Sequence, residues 1–228
     1  MTMIGDKLQQ VQARIVTACT AVGRDPASVH LLAVSKTFPA EAVREAHAAG
    51  QKAFGENYVQ EGVAKIEALA DLRGQLEWHC IGPLQSNKTR VVAEHFDWVH
   101  SIDRLKIAER LAEQRPADLP PLQVCLQVNV DGGANKSGVA VGEALALARA
   151  VAALPRLRLR GVMAIPEPAP VFAAQRALFL LAGAVFEQIR AAGIEVDTLS
   201  LGMSGDLEAA VAAGSTMVRI GSAIFGQR

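Results

Sequence analysis

This sequence has few aromatic residues and few cysteines, and neither sign of charge is in excess. Tyr58 is the single tyrosine among 228 residues, which leaves few acid and base groups for catalysis. The three cysteines, Cys19, Cys80 and Cys125, have no CxxC spacing, which argues against a disulfide framework and against a thiolate zinc site. The 23 basic residues balance the 23 acidic residues, so no general electrostatic field attracts nucleic acid or an anionic membrane.

Long apolar runs are also missing. The longest run, 178–186, is about half of the roughly 20 residues that a membrane span needs. The first twenty residues include Asp6, Lys7 and Arg14 and lack the apolar core of a signal peptide. The five histidines show no spacing with carboxylates that predicts a metal site. We therefore expect a cytoplasmic protein with no membrane, nucleic-acid or metal partner.

The sequence repeats one unit eight times: a short apolar segment, a polar or glycine-containing turn, and an amphipathic segment. The predicted strands are 30–35, 53–56, 77–81, 98–101, 122–130, 157–164, 198–202 and 217–221. The predicted helices between them are 39–49, 59–72, 86–95, 103–114, 142–153, 171–192 and 205–213, and one further helix, 3–22, precedes the first strand.

Strands that are separated by helices run parallel, and eight of them in a chain of this length are typical of a closed barrel. We predict an α/β fold, a single (β/α)8 TIM barrel that forms one domain over residues 1–228. The last unit leaves almost no room for an outer helix. The additional N-terminal helix is therefore expected to cover that gap.

Chemistry in such barrels lies at the carboxyl ends of the strands, and Lys36 is the first candidate there. It follows the apolar run LLAV (31–34) directly. An amine that is partly desolvated at the mouth of a barrel can attack a carbonyl group and form a Schiff base. A solvated lysine that merely ends the strand is the alternative.

The loops after the last two predicted strands indicate a phosphate site, because barrels commonly bind phosphate with these loops at a helix N-terminus. Ser204, Gly205, Gly221 and Ser222 supply hydroxyl groups and close backbone approach. Helix capping and a tight turn are the alternative. Arg219 precedes this region on its strand, and a buried arginine needs an acceptor, either an aromatic ring nitrogen or a carboxylate.

Several motifs together carry a family resemblance: AVSKTF (33–38), FGENYVQEG (54–62), WHCIGPLQSNK (78–88), NKSG (135–138), GVMAIPEP (161–168) and SLGMSGDLEAAVAAGSTMVRIGSAIFG (200–226). Over nearly its whole length, the chain resembles the YggS/PROSC family of pyridoxal phosphate homeostasis proteins. The resemblance implies a barrel like the N-terminal domain of alanine racemase, of fold type III among proteins that bind pyridoxal 5′-phosphate (PLP). It also implies a Schiff base between PLP and Lys36.

The same resemblance implies roles for the other candidates. Ser204, Gly221 and Ser222 match the phosphate cradle, and Asn57 and Arg219 match residues near the cofactor ring. Arg219 would face the pyridine nitrogen. Gly205 stands where the family commonly has a carboxylate.

The resemblance implies a binding protein without established catalysis. An arginine on the pyridine nitrogen weakens the electron sink that carbanion chemistry needs. Alanine racemases oppose their lysine with a tyrosine from a second domain of the partner subunit, whereas Tyr58 lies in the same barrel and the chain ends after its eighth strand. We expect a monomeric carrier that exchanges PLP with PLP-dependent apoenzymes.

Several alternatives stay open at this point. The chain can be a weak PLP-dependent amino-acid racemase, a cofactor-free Schiff-base lyase, or a barrel for another phosphorylated metabolite. Lys136, in the NKSG motif, is either a second PLP site or a solvated loop lysine.

Overall fold

A computed structural model describes residues 2–132 and 137–226 of the chain, which form an α/β barrel. Its strands are β1 His30–Val34, β2 Ala53–Glu56, β3 Glu77–Cys80, β4 Trp98–Ile102, β5 Leu122–Asn129, β6 Val139–Ala140, β7 Leu157–Met163, β8 Thr198–Ser200 and β9 Met217–Ile220. Its helices are α1 Met3–Ala21, α2 Ala40–Ala48, α3 Val59–Ala68, α4 Thr89–His95, α5 Leu105–Gln114, α6 Ala144–Ala152, α7 Phe172–Ala191, α8 Leu207–Ala212 and α9 Ser222–Phe225.

The strands close into a ring in which every pairing is parallel. The order is β4-β3-β2-β1-β9-β8-β7-β5, and a pairing between β4 and β5 completes the circle. The first and last barrel strands meet with His30 opposite Met217. The short β6 pairs with β5 outside this ring. The predicted eight-stranded (β/α)8 barrel is confirmed.

Apolar side chains on both faces of the strands explain why the strands read as apolar runs in the sequence. The outer faces pack against the helices, where Phe54, Trp78 and Phe96 are fully buried. Inside the ring, two small clusters fill part of the space. One contains Leu32, Val34, Ile81 and Met217, and the other contains Trp98, Cys125 and Met163.

The outer helices bury one stripe each. In α5, for example, the buried residues follow helical spacing, namely Ile107, Ala108, Leu111 and Ala112. α7 is the one helix in the described ranges whose length and composition would also suit a membrane span. Phe179, Ala182 and Val185 on α7 are buried, and α7 packs against β7, β8 and α8. Its apolar character therefore fits an outer helix of this barrel.

The N-terminal helix covers the end of the barrel wall, as predicted. α1 packs against α2, α8 and α9, and it buries Leu8, Val11 and Ile15. The sequence left almost nothing for an outer helix after the last strand. The structure shows a single turn there, α9, which buries Ile224 and Phe225.

Candidate functional site

The predicted site residues lie at the carboxyl ends of four neighbouring strands. In the ring, β8, β9, β1 and β2 follow one another, and chain segments directly after them carry Ser204, Gly221 with Ser222, Lys36 and Asn57. Arg219 is the third residue of β9. Because parallel strands end at one edge, all six residues lie at the same end of the barrel.

Lys36 lies in the turn after β1, and its side chain is exposed. Within the described part of the chain, its amine has no hydrogen bond or ion pair. The residues on either side of it are held firmly. The Ser35 carbonyl oxygen accepts a hydrogen bond from Lys65 Nζ at 2.7 Å, and the Thr37 backbone N–H donates to the Glu61 carboxylate.

A buried ionic cluster beneath this turn explains how the turn is held. Lys65 Nζ also donates to Glu56 Oε1 and to Glu61 Oε1, both at 2.7 Å. The Ser35 hydroxyl donates to Glu56 Oε1 at 2.6 Å. Burial raises the pKa of the Glu56 carboxyl, and Lys65 and the Ser35 hydroxyl oppose that shift.

The backbone at Thr37 is unusual because its φ is 67°, in the left-handed region that favours glycine. A β-branched residue keeps this conformation only where its surroundings impose it. The hydrogen bond to Glu61 is one such contact. The cluster thus fixes the backbone on both sides of Lys36 and leaves the lysine side chain exposed.

The two serines predicted for phosphate binding meet at the barrel mouth. Ser222 Oγ and Ser204 Oγ are 3.2 Å apart, and both lie at or near the surface. Ser204 does not cap α8, because Asp206 precedes that helix and accepts from the Met203 backbone N–H at 2.6 Å. The hydroxyl pair is therefore available to a ligand.

Gly221 allows the β9 loop to approach the end of β1. A Cβ atom at this position would lie 3.0 Å from the carbonyl oxygen of Val34. Gly82 has the same role beside Asn57, where a Cβ atom would lie 2.1 Å from the Asn57 carbonyl oxygen. The half-buried Asn57 side chain makes no hydrogen bond to any residue that the structure describes.

Arg219 is 4% exposed, and its guanidinium group is held by oxygen atoms of the barrel. Nη1 donates to the Ser200 carbonyl oxygen at 2.6 Å and to Ser200 Oγ at 2.7 Å, and Nη2 donates to the Ala164 carbonyl oxygen at 3.0 Å. Among the described residues, no carboxylate makes a salt bridge with it. Its Nε–H has no partner among the same residues.

Burial lowers the pKa of Arg219 to about 10, so the group remains cationic at neutral pH. A buried cation with unused N–H donors at the mouth of the barrel suits an acceptor atom on a ligand. A ring nitrogen as that acceptor stays a prediction. Lys136 and Asn135 lie outside the described residues.

The sequence interpretation missed the buried polar groups behind the site. Glu56, Glu61, Lys65 and Ser200 were not among the predicted site residues. One signal for them was present, because Glu61 and Lys65 are four residues apart in a predicted helix. For the described residues, no group of three or more potential metal ligands is found.

Comparison with known proteins gives close relatives over the whole length. The pyridoxal phosphate homeostasis protein of Pseudomonas aeruginosa is 61% identical over 228 residues, which are 100% of this chain and 97% of the relative. The protein of that description from Escherichia coli (strain K12) is 57% identical over 229 residues, 100% of this chain and 98% of the relative. PipY of Synechococcus elongatus, solved with PLP bound, is 38% identical with a TM-score of 0.85 and matches 98% of this chain and 100% of its own.

The sequence pattern of the family described as alanine racemase, N-terminal domain, matches residues 7–228. Both this match and the relatives therefore extend over nearly all of the chain. The chain belongs to the alanine racemase N-terminal domain family and, within it, to the pyridoxal phosphate homeostasis proteins.

Proposed function

We propose that this chain binds PLP at the carboxyl ends of β8, β9, β1 and β2, with a reversible carbon–nitrogen bond to Lys36, and takes part in intracellular PLP homeostasis. The observation that carries the proposal is the position of the Lys36 amine. It has no protein partner among the described residues, and it lies at the same end of the barrel as the Ser204 and Ser222 hydroxyl pair.

The residues fit the three polar parts of PLP. PLP supplies an aldehyde, with which a primary amine condenses and releases water. Lys36 provides the amine. The Ser204 and Ser222 hydroxyls and the close approach at Gly221 suit the phosphate, and the unused Nε–H of Arg219 suits the ring nitrogen. The half-buried Asn57 adds an amide beside the ring.

The proposal is a binding role without catalysis. Arg219 is a permanent donor at neutral pH, because its pKa is about 10, and it would keep a ring nitrogen unprotonated. An unprotonated ring withdraws electrons weakly, which disfavours carbanion chemistry. Tyr58, the single tyrosine of the sequence, is 59% exposed on the loop after β2.

We include in the proposal one domain over residues 1–228, a monomer, a cytoplasmic location and exchange of PLP with apoenzymes.

Absorption spectroscopy of the purified protein with PLP tests the binding. The wild-type protein should show the visible band of a lysine-bound aldehyde, and Lys36→Ala should lose it. Lys52→Ala is the matched control, because Lys52 is an exposed lysine at the opposite end of the barrel. Borohydride reduction and peptide mapping should recover the cofactor on Lys36. Recovery on another lysine in the wild-type protein would contradict the proposal.

Two further measurements test the role. Labelled L- and D-amino acids should turn over no faster with the loaded protein than with PLP in solution. The loaded protein should also activate a PLP-dependent apoenzyme, and Lys36→Ala that was treated in the same way should not. Faster turnover would favour the racemase alternative, and no transfer would contradict the proposed exchange with apoenzymes.

A further inference from the structure

A continuous chain of hydrogen bonds crosses the interior of the barrel. It joins Glu77, His79, His100, Ser200 and Arg219. His79 Nε2 lies 2.8 Å from Glu77 Oε1, and His79 Nδ1 lies 2.8 Å from His100 Nε2. His100 Nδ1 lies 3.1 Å from Ser200 Oγ, which is 2.7 Å from Arg219 Nη1.

Strand geometry explains how residues so far apart in sequence meet. Alternate residues of a barrel strand face the interior, so Glu77 and His79 share the inner face of β3. His100 is the middle residue of β4 and Ser200 is the last residue of β8. This chain of hydrogen bonds therefore runs from the amino end of β3 to the carboxyl end of β9, where Arg219 lies.

The two ends of this chain of hydrogen bonds, Arg219 and Glu77, determine the direction in which each group donates. An arginine only donates and an ionised carboxylate only accepts. Ser200 Oγ accepts from Arg219, which leaves its own hydrogen for a bond to His100 Nδ1. Burial lowers the pKa of His100 well below its usual value, with contributions from His79 and Arg219, and the neutral ring carries its one hydrogen on Nε2. It donates to His79, which donates to Glu77.

The chain also explains how a buried arginine is compensated without a salt bridge. Each group between the ends polarises the next, so that the cation at one end is coupled to the carboxylate at the other. His79, His100 and Ser200 are fully buried. The Glu77 side chain, in contrast, is 48% exposed, so one end of the chain is in contact with solvent.

We propose that Ser200, His100 and His79 are positioning residues, which hold Arg219 with its Nε–H directed to the cofactor ring, and that Glu77 at the opposite end of the barrel acts on the site through them. The inference rests on the proposed function, because it assigns a role to residues that touch Arg219 and do not touch PLP. Its test begins with the ligand-free protein.

Long-range ¹H–¹⁵N correlation spectra of the ligand-free protein show which ring nitrogen of each histidine carries hydrogen. At neutral pH, His79 and His100 should both carry it on Nε2. Ser200→Ala should shift the Nδ1 signal of His100, since that nitrogen loses its donor. Met163→Leu is the matched control, because Met163 is buried in the barrel interior and takes no part in these hydrogen bonds. Hydrogen on Nδ1 of either ring would overturn the proposed direction.

PLP binding then tests the effect on Arg219. Ser200→Ala should bind PLP about tenfold more weakly, the loss expected for one hydrogen bond to a charged group, and Met163→Leu should bind as the wild-type protein does. An analogue of PLP with C–H in place of the ring nitrogen should bind the wild-type protein and Ser200→Ala equally. Equal losses for PLP and the analogue would overturn the positioning role.

Variants of Glu77 test the coupling between the two ends of the barrel. Glu77→Gln keeps an oxygen that accepts from His79 and should preserve PLP affinity, whereas Glu77→Ala should weaken it about threefold. Unchanged affinity in Glu77→Ala would overturn the coupling. If the wild-type protein binds no PLP, the proposed function fails, and the ligand-free spectra still decide whether the chain of hydrogen bonds exists.

Discussion

The ammonium nitrogen of Lys65 lies 2.7 Å from the carbonyl oxygen of Ser35, the residue before Lys36. The buried Lys65 thereby anchors the turn that carries the exposed Lys36. Both remaining donors of Lys65 bind carboxylates, Glu56 and Glu61, so the ammonium group is fully satisfied. The Lys36 side chain, which we propose reacts with the ligand, needs exposure to meet it, and the buried cluster supplies the rigidity that the surroundings of Lys36 lack.

Replacing Lys65 by methionine should strongly destabilise the protein. Glu56 would lose its charged partner inside the protein, and breaking a buried pair costs about 3–5 kcal/mol. Urea unfolding of Lys65→Met measures the free energy of unfolding, and Lys52→Met, at an exposed lysine, is the control. A loss below about 1 kcal/mol, the usual worth of a surface pair, would show that the cluster contributes little.

The serine hydroxyls should discriminate between phosphorylated and unphosphorylated ligands. Ser222→Ala is expected to weaken PLP binding about threefold to tenfold, because one hydrogen bond to a charged phosphate is lost. Affinity for pyridoxal, which has no phosphate, should not change. Ser28→Ala, on the 3-10 turn Pro26–Ser28 before β1, provides a control. A loss of pyridoxal affinity as large as the loss for PLP would contradict a phosphate role.

Gly82 should tolerate no side chain. A Cβ atom there would lie 2.1 Å from the Asn57 carbonyl oxygen, so Gly82→Ala must displace the loop after β2. We expect a destabilisation of about 1–3 kcal/mol, as for other overpacked sites, together with weaker PLP binding. Gly74→Ala is the matched control, since a Cβ atom at Gly74 meets nothing within 4 Å. Thermal unfolding and PLP titration of both variants would measure the difference.

His100 should make the protein less stable in mild acid. Its pKa in the folded protein lies well below 6.5, so below this pH the unfolded chain binds a proton there and the folded protein does not. The free energy of unfolding should therefore fall as pH drops from about 7 to about 5, by up to about 1.4 kcal/mol per pH unit from this group. Urea titrations at several pH values should give a flatter profile for His100→Phe, and equal slopes would contradict the assignment.

Much of the fold could be predicted from the sequence because each strand is a short apolar run that ends in polar or glycine residues. The first predicted strand, 30–35, differs from β1, His30–Val34, by one residue at its end. The single turn α9 was missed, since four residues before a glycine carry no helical period. Local patterns thus predicted the eight barrel strands and the longer helices, but not the short β6 outside the ring.

The site was predicted in part, and the missing part has a physical reason. Lys36 and Ser222 follow strands directly, so the barrel geometry places them at one end. Lys65 lies in an amphipathic helix, and its position in the sequence is typical of an ordinary surface lysine, although it is 5% exposed. Two of its three partners, Ser35 and Glu56, lie on other elements, as do the partners of His100. Burial of a charged residue depends on such distant contacts, which no local pattern contains.

The pairing of β1 with β9 has a consequence for folding. His30 meets Met217, and Leu32 meets Arg219, so this seam joins segments that are separated by nearly the whole chain. During synthesis, the edge of β1 stays unpaired until the last strand has left the ribosome, and unpaired edges favour aggregation. Because Arg219 belongs to this last strand, β9, the barrel closes in the same step that places the arginine at the carboxyl ends of the strands. A nascent chain therefore completes the proposed ligand site only when the edge of β1 becomes paired.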